Sequence, residues 1–423
     1  MMQLKRILVE NLFGLLNYDI GLDQSDTIII TGPNGYGKTM ILKIIDNILS
    51  CNLEFFFDLQ FRKINLEYNK SVLTLIKNEN NILSIQTKNL ETNTKTNKNF
   101  HINRKIKDKH KLIDDLYNDM SSCEKDNKYF FAKIAYEQLI GDDNRLQLRL
   151  QKENQTQNKY LEEFIPENNV TFIKAQRLEN VENSKATIEE QAIFLANLIK
   201  KASEESAQIS QRLDSSFPAR LFEIIDENTP TSSISDRLIG IQRKREIFMK
   251  FGLIKSEDTL IPERYNSTPL GKEYSTVLHL YISDALEKLS PYEELFEKIN
   301  LFVSLMNEKM LAFKKIKINQ ENGFHFKSNS GETIKLNNLS SGEQNQIVIY
   351  FDLIFKSNPQ AIIMIDEPEI SLHVAWQKEF LDSIFRIKKL NSFSKIIIAT
   401  HSPQIVNNNW DITYDLFENN QSK

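Results

Sequence analysis

A lysine and a hydroxyl residue closing a glycine-rich run form a phosphate-handling arrangement, and Gly32-Pro33-Asn34-Gly35-Tyr36-Gly37-Lys38-Thr39 is such a run. The glycines let successive backbone N–H groups wrap phosphate oxygens, and a helix starting there adds the partial positive charge of its N-terminus. Lys38 would bridge the β- and γ-phosphates of ATP, and Thr39 would place its hydroxyl on Mg²⁺. Far along the chain, Ile362-Ile363-Met364-Ile365 leads into Asp366-Glu367. Four apolar residues make a buried strand that holds Asp366 at its end, within reach of the Mg²⁺ shell. Glu367 beside it can take a proton from an attacking water. An apolar run ending in acids is common by itself, and its meaning comes from pairing with the phosphate loop.

A second anion site is written in Leu339-Ser340-Ser341-Gly342-Glu343, where Ser hydroxyls and free N–H groups open a helix. Such segments are often plain N-caps, but this one precedes the Asp366-Glu367 strand by a single helix. His401 in Thr400-His401-Ser402-Pro403 ends the strand after that one, and Gln176 follows the strand at Val170–Lys174. Arg177 next to Gln176 has two readings, a phosphate contact or a salt bridge.

These residues need elements to position them. Residues 2–9 and 17–23 read as a strand pair, Thr27–Ile30 as a buried strand, and Lys38–Leu49 as a helix with an Ile41, Leu42, Ile44, Ile45 and Ile48 face. Arg62–Tyr68, Ser71–Ile76 and Ile82–Thr87 alternate between Asn-rich turns and predict an antiparallel meander. Residues 105–165 read as helical, with a bend at Asn154–Asn158. Ile188, Ala192, Leu195 and Ile199, then Leu295, Ile299, Phe302, Met306 and Met310, give helical stripes that predict core. Ser290-Pro291 interrupts the second helical region, and no heptads extend far enough for a long coiled coil. After residue 316 strand–helix alternation returns: a helix through Phe355, a strand at Ala361–Ile365, a helix over Val374–Ile387 and a strand at Lys395–Ala399. The expected division is 1–180 as one ATPase half, 181–320 as a helical insertion, and 321–423 as the other half.

Composition sets limits on partners. Net charge is only −4, so no global basic field announces nucleic acid, and Arg104–Lys111 and Arg243–Arg245 read as solvated faces. Two cysteines, Cys51 and Cys123, cannot build a disulfide framework or a four-cysteine zinc site. The first fifteen residues alternate apolar and charged and offer no signal-peptide core, and no window is apolar enough to span a membrane. The expectation is a cytoplasmic protein with no membrane partner.

Together these motifs resemble the ABC/SMC superfamily. The resemblance implies an α/β P-loop ATPase head with an antiparallel β meander and an inserted helical subdomain. It also implies that Ser340, Ser341, Gly342 and Glu343 reach the γ-phosphate of ATP held by the opposite protomer. Two head-to-tail copies would then share two ATP sites. By the same resemblance His401 takes the switch-histidine role and Gln176 the glutamine-loop role, near nucleotide and metal, with Lys38 and Glu367 in catalysis. Glu367-Pro368-Glu369-Ile370-Ser371-Leu372-His373 departs from transporter ATPases, whose loop usually ends in Asp, and is similar to the OLD-like ATPases. "LKRILVENLFGLLNYDIGL", "LDSSFPARL", "LSSGEQNQIVIYFDLIF" and "IIIATHSPQIVNNNWD" carry the same resemblance. It covers the two ends well and residues 90–165 and 225–315 in outline. Many OLD proteins carry a nuclease domain after the ATPase, and the expectation here is a stand-alone ATPase. Such ATPases are similar to those of the Septu and PARIS anti-phage systems, which assemble into dimers or higher rings and control a separate effector protein, typically a nuclease. The alternative is an SMC/RecF-like repair ATPase acting directly on DNA.

Overall fold

The computed structural model describes residues 3–78, 82–100, 170–178, 187–224, 234–255, 272–309 and 313–421. The helical reading of 105–165, the Arg104–Lys111 run, Cys123 and Met310 lie outside the described residues.

The chain opens with β1 (Leu4–Leu12) and β2 (Leu16–Gly21), followed by β3 (Thr27–Thr31), α1 (Lys38–Leu49) and the short α2 (Glu54–Asp58). Next come β4 (Lys63–Tyr68), β5 (Ser71–Lys77), β6 (Leu83–Asn89) and β7 (Lys95–Phe100). These form an antiparallel six-stranded sheet in the order β2-β1-β4-β5-β6-β7, so the expected meander is present and is one strand longer.

A second sheet is wholly parallel, in the order β14-β3-β13-β12-β8. It is made of β3 with β8 (Val170–Ile173), β12 (Ile362–Asp366), β13 (Lys395–Ala399) and β14 (Thr413–Asp415). Its isoleucine runs follow from burial on both faces. Because strand side chains alternate, each strand feeds two cores. Ile29, Ile363, Ile365, Ile396 and Ile398 enter one, whereas Ile28, Ile30, Ile362, Met364 and Ile397 enter the other. The second core is closed by α1 and the antiparallel sheet.

The first core is closed by helices: α3 (Thr187–Ile224), α4 (Ile234–Lys250), α5 (Lys272–Leu289), α6 (Glu293–Lys309), α7 (Ser341–Phe351) and α8 (Val374–Asn391). A single 3-10 turn at Ser290–Tyr292 separates α5 from α6, where the Ser-Pro pair predicts a break. The expected stripes are buried: Ile188, Ala192, Leu195 and Ile199 on α3, and Ile299, Phe302 and Met306 on α6. They join the core of α7 and α8 without a break, so the helical region packs onto the sheet through one continuous apolar cluster.

Two local outcomes differ from the sequence reading. Residues 314–328 form an antiparallel hairpin, β9 (Lys314–Asn319) and β10 (Gly323–Ser328), extended by β11 (Thr333–Ile334). The helix expected through Phe355 is α-helical only to Phe351 and continues as a π-turn over Asp352–Lys356. The chain ends with α9 (Pro403–Val406), β14 and α10 (Leu416–Gln421). Among the described residues no helix is long and apolar enough to cross a membrane.

Candidate nucleotide site

The parallel register brings the C-terminal ends of the central strands to one edge. Asp366 lies opposite Ala399, Ala399 opposite Ile30, and Thr31 opposite Asp415. Ligands of open α/β sheets sit at this edge, and Gly32, Glu367, His401 and the 174–178 segment all leave the sheet there.

The Gly32–Thr39 loop holds its three glycines at positive φ, of 140°, 87° and 81°. Gly37 caps α1 in the left-handed region, and a Cβ there would come within 3.3 Å of Leu12. Only glycine meets both demands without strain. Pro33, Asn34 and Gly35 are exposed, and no heavy atom lies within 4 Å of where a Gly35 Cβ would sit. Lys38 is buried, and its Nζ donates to the carbonyls of Gly32 (2.7 Å) and Pro33 (3.2 Å). The ammonium is therefore held over the loop by the loop itself. The loop is braced from outside by the C-terminal segment. The Tyr36 ring meets Phe417 edge-to-face at 5.5 Å, the Tyr36 carbonyl accepts from the Tyr18 hydroxyl at 2.7 Å, and Thr31 Oγ1 donates to Asp415 Oδ2 at 2.9 Å.

At the end of β12, Asp366 Oδ1 accepts from Thr39 Oγ1 at 3.0 Å. Burial pushes the Asp366 carboxyl up, the Thr39 hydrogen bond pulls it down, and neighbouring Glu367 and Glu369 push it up again. Glu367 is half-buried and sits at φ 44°, a conformation few non-glycine residues adopt, with its N–H donating to the Ala399 carbonyl at 2.9 Å. The bent backbone takes Glu367 out of line with the strand immediately after Asp366. A hydroxyl beside a desolvated carboxylate suits Mg²⁺, which takes few protein ligands and completes its octahedron with water and phosphate oxygens. Among the described residues no cluster of three His, Cys, Asp or Glu forms a protein-only metal cage. Thr39 and Asp366 are the residues that would hold the cation.

Arg177 meets backbone carbonyls at this edge. It is buried, and its guanidinium donates to the carbonyls of Lys174 (3.1 Å), Asp366 (3.4 Å) and Pro368 (3.4 Å). Burial pushes its pKa down to about 10 against the pull of Glu369, Asp366 and Glu367. It thus brackets the bent Glu367 from behind and counters three carboxylates. Gln176 beside it is exposed at the same edge. His401 is half-exposed, and its Nδ1 lies 3.0 Å from Glu369 Oε1.

Ser340 caps α7 in a capping box. Its Oγ accepts from the Glu343 N–H at 3.3 Å, and Glu343 Oε2 accepts from the Ser340 N–H at 2.8 Å. Leu339 is buried, whereas Ser340 and Ser341 are exposed. Glu343 faces inward, where Lys314 Nζ of β9 donates to both carboxylate oxygens at 2.8 Å. Burial alone would raise this carboxyl, but the hydrogen bonds from Lys314 and Ser340 outweigh it and hold it below its ordinary value. Gly342 lies against the loop after Glu367, because a Cβ there would come within 2.4 Å of the Ser371 carbonyl.

The structure therefore gathers Lys38, Thr39, Asp366, Glu367, Gln176 and His401 at one sheet edge and presents Ser340-Ser341 on a separate helix start. A family model described as an AAA ATPase domain matches residues 2–406. The chain belongs to the AAA ATPase domain family. No match is found among curated proteins. Among solved structures, this AAA ATPase domain is similar to an Smc head domain with an extended coiled coil bound to the C-terminal domain of ScpA, from Pyrococcus furiosus. That pair is 14% identical over 96% of this chain and 92% of the other, with a TM-score of 0.39. An Smc head with a coiled coil and joint from Pyrococcus yayanosii is 15% identical over 96% and 94%, with a TM-score of 0.33. The recombination mediator protein RecF with ATP is 12% identical over 96% and 95%, with a TM-score of 0.29.

Sequence reasoning assigned no role to Glu369, Lys314 or the Asp415–Phe417 brace. Glu369 carried a signal, as the second acid of Glu367-Pro368-Glu369. Lys314 and the brace act across the chain and carry none locally.

Proposed function

We propose that this AAA ATPase domain binds ATP with Mg²⁺ and hydrolyses it in a site completed by a second copy. The observation that carries the reading is the Thr39–Asp366 hydrogen bond, which sets a phosphate-loop hydroxyl beside a buried strand-end carboxylate. Gly32–Thr39 would cradle the phosphates and Lys38 would turn from the loop carbonyls to the γ-phosphate. Thr39 and Asp366, with Gln176 nearby, would hold the cation that neutralises phosphate charge. Glu367 would accept the proton of the attacking water, and His401 would contact the γ-phosphate. Ser340, Ser341 and Gly342 of the partner would close the site with an exposed helix start, Glu343 fixing that segment from beneath. The chain then works as two ATPase halves, 1–180 and 321–423, around a helical insertion at 181–320.

In the finer reading this is the cytoplasmic ATPase subunit of an anti-phage defence system, similar to OLD-like ATPases, whose nucleotide-dependent pairing or higher assembly controls a separate nuclease effector. The experiment is mass measurement with and without ATP, alone and co-expressed with the neighbouring gene's product. Lys38→Ala should bind no ATP and stay monomeric, whereas Glu367→Gln should retain ATP and accumulate as a dimer. Equal masses for wild type, Glu367→Gln and Lys38→Ala in ATP would overturn nucleotide-driven pairing. Salt-sensitive DNA binding without any partner would favour the SMC/RecF-like repair reading instead.

A further inference from the structure

Glu369 is buried one residue beyond Pro368, and a single oxygen of its carboxylate accepts two hydrogen bonds and faces a ring nitrogen. Oε1 accepts from Thr400 Oγ1 at 2.7 Å and from the His401 N–H at 2.9 Å, and it lies 3.0 Å from His401 Nδ1. Thr400 is fully buried, and its Oγ1 accepts in turn from the Ser402 N–H at 3.0 Å. Ser402 Oγ donates to Gln377 Oε1 at 2.7 Å, which ties the 400–402 turn to α8. The imidazole itself is half in solvent, with 51% of its side chain exposed, so packing does not fix its rotation. A carboxylate oxygen 3.0 Å from Nδ1 favours the ring form in which that nitrogen carries the proton.

We propose that Glu369 is a positioning residue that holds His401 in the Nδ1–H form and leaves Nε2 as the ring atom that, once protonated, donates to the γ-phosphate. The inference rests on the nucleotide-site reading above. Charged groups surround the pair. Arg177 lies behind it as a buried cation, with Glu369 the strongest of its three attractive charges, and Asp366 and Glu367 are the other acids at the same edge. Glu369 touches no reacting atom. It acts through the orientation and tautomer that it imposes on His401, as outer-shell carboxylates do for other functional imidazoles.

The test pairs a spectroscopic readout with a double-mutant cycle on the full chain. In ¹⁵N-histidine spectra, with His401 assigned by its loss in His401→Gln, wild type should show the Nδ1–H tautomer without nucleotide. Glu369→Met removes the acceptor at similar volume and should give a mixed tautomer. Glu369→Gln keeps an acceptor without the charge, should fall between, and serves if the Met variant does not fold. Turnover should fall by roughly a hundredfold in Glu369→Met with KM little changed. That loss should vanish when His401→Ala is already present. An Nε2–H tautomer in wild type, a tautomer unchanged by Glu369→Met, or an undiminished loss in the His401→Ala background would each overturn the proposal. Calorimetry showing no ATP binding by wild type would instead overturn the nucleotide site, and the tautomer spectra would still decide on Glu369.

Discussion

Thr39 Oγ1 donates to Asp366 Oδ1 at 3.0 Å, joining the first turn of α1 to the end of β12. Burial holds the Asp366 carboxyl above its ordinary value, so its ionised form is a cost that a bound cation would offset. Asp366→Asn removes that charge and keeps an acceptor for Thr39. Its Tm without nucleotide should equal or exceed that of wild type, while the rise in Tm on adding Mg²⁺ and ATP should disappear. Calorimetric scans with ATP, with Mg²⁺ and with both read the two effects separately. A retained rise with Mg²⁺ and ATP would remove Asp366 from the cation site.

Exposed Ser340 and Ser341 make the shared site testable by complementation. Ser340→Arg should block the helix start, and Lys38→Ala should disable the phosphate loop, so each variant alone should be inactive. In a mixed head-to-tail dimer one site pairs both lesions, while the other pairs an intact loop with an intact helix start. Mixing the two inactive proteins should therefore restore part of the ATPase rate. Normal turnover by monomeric Ser340→Arg would sink the shared site.

How far this architecture was legible depends on whether its cause was local. The phosphate loop, α1 and the isoleucine strands were readable because glycine conformation, helical period and two-sided burial are written in contiguous residues. The β9–β10 hairpin was missed, although Asn322-Gly323 is a turn signal and Ile316, Ile318, Phe324 and Phe326 alternate around it. Its strands are short and lysine-rich, and they resemble the polar segments near them. β14 has three residues and is held by parallel pairing to β3, a partner far back in the chain. Glu369 shows the same limit at the site. Nothing between residues 367 and 373 says that its carboxylate meets residue 401.

Lys314 and Glu343 tie the α7 cap to β9, and the pair sets a pH dependence. Glu343 has a folded pKa below its unfolded one, so its contribution is present above the unfolded value and lost as pH falls through the folded one. Lys314→Met leaves the buried carboxylate with only its Ser340 donors and should cost about 1–3 kcal/mol near neutral pH. The variant should also lose less stability than wild type between about pH 7 and pH 3, because part of the acid-sensitive term, which goes only below the ordinary glutamate value, is already gone. Urea unfolding at both pH values measures the two differences. Equal acid losses in the two proteins would show that Lys314 does not hold the carboxylate.

Gly342 poses two opposed effects, and magnitude decides between them. Alanine at a helical glycine ordinarily gains about 1 kcal/mol by restricting the unfolded chain. Here its Cβ would stand 2.4 Å from the Ser371 carbonyl and 3.3 Å from the Trp376 ring. Ser371 already sits at φ 63°, so the loop has little room to yield, and overpacking of this kind costs about 1–3 kcal/mol. Gly342→Ala should therefore lower Tm rather than raise it. It should also weaken ATP-dependent pairing beyond the stability loss, because the displaced partner is the Ser340-Ser341 helix start. Thermal scans together with sedimentation in ATP separate the two. A raised Tm with unchanged pairing would mean that the 371–376 loop moves freely and does not register the helix start against the Asp366-Glu367 edge.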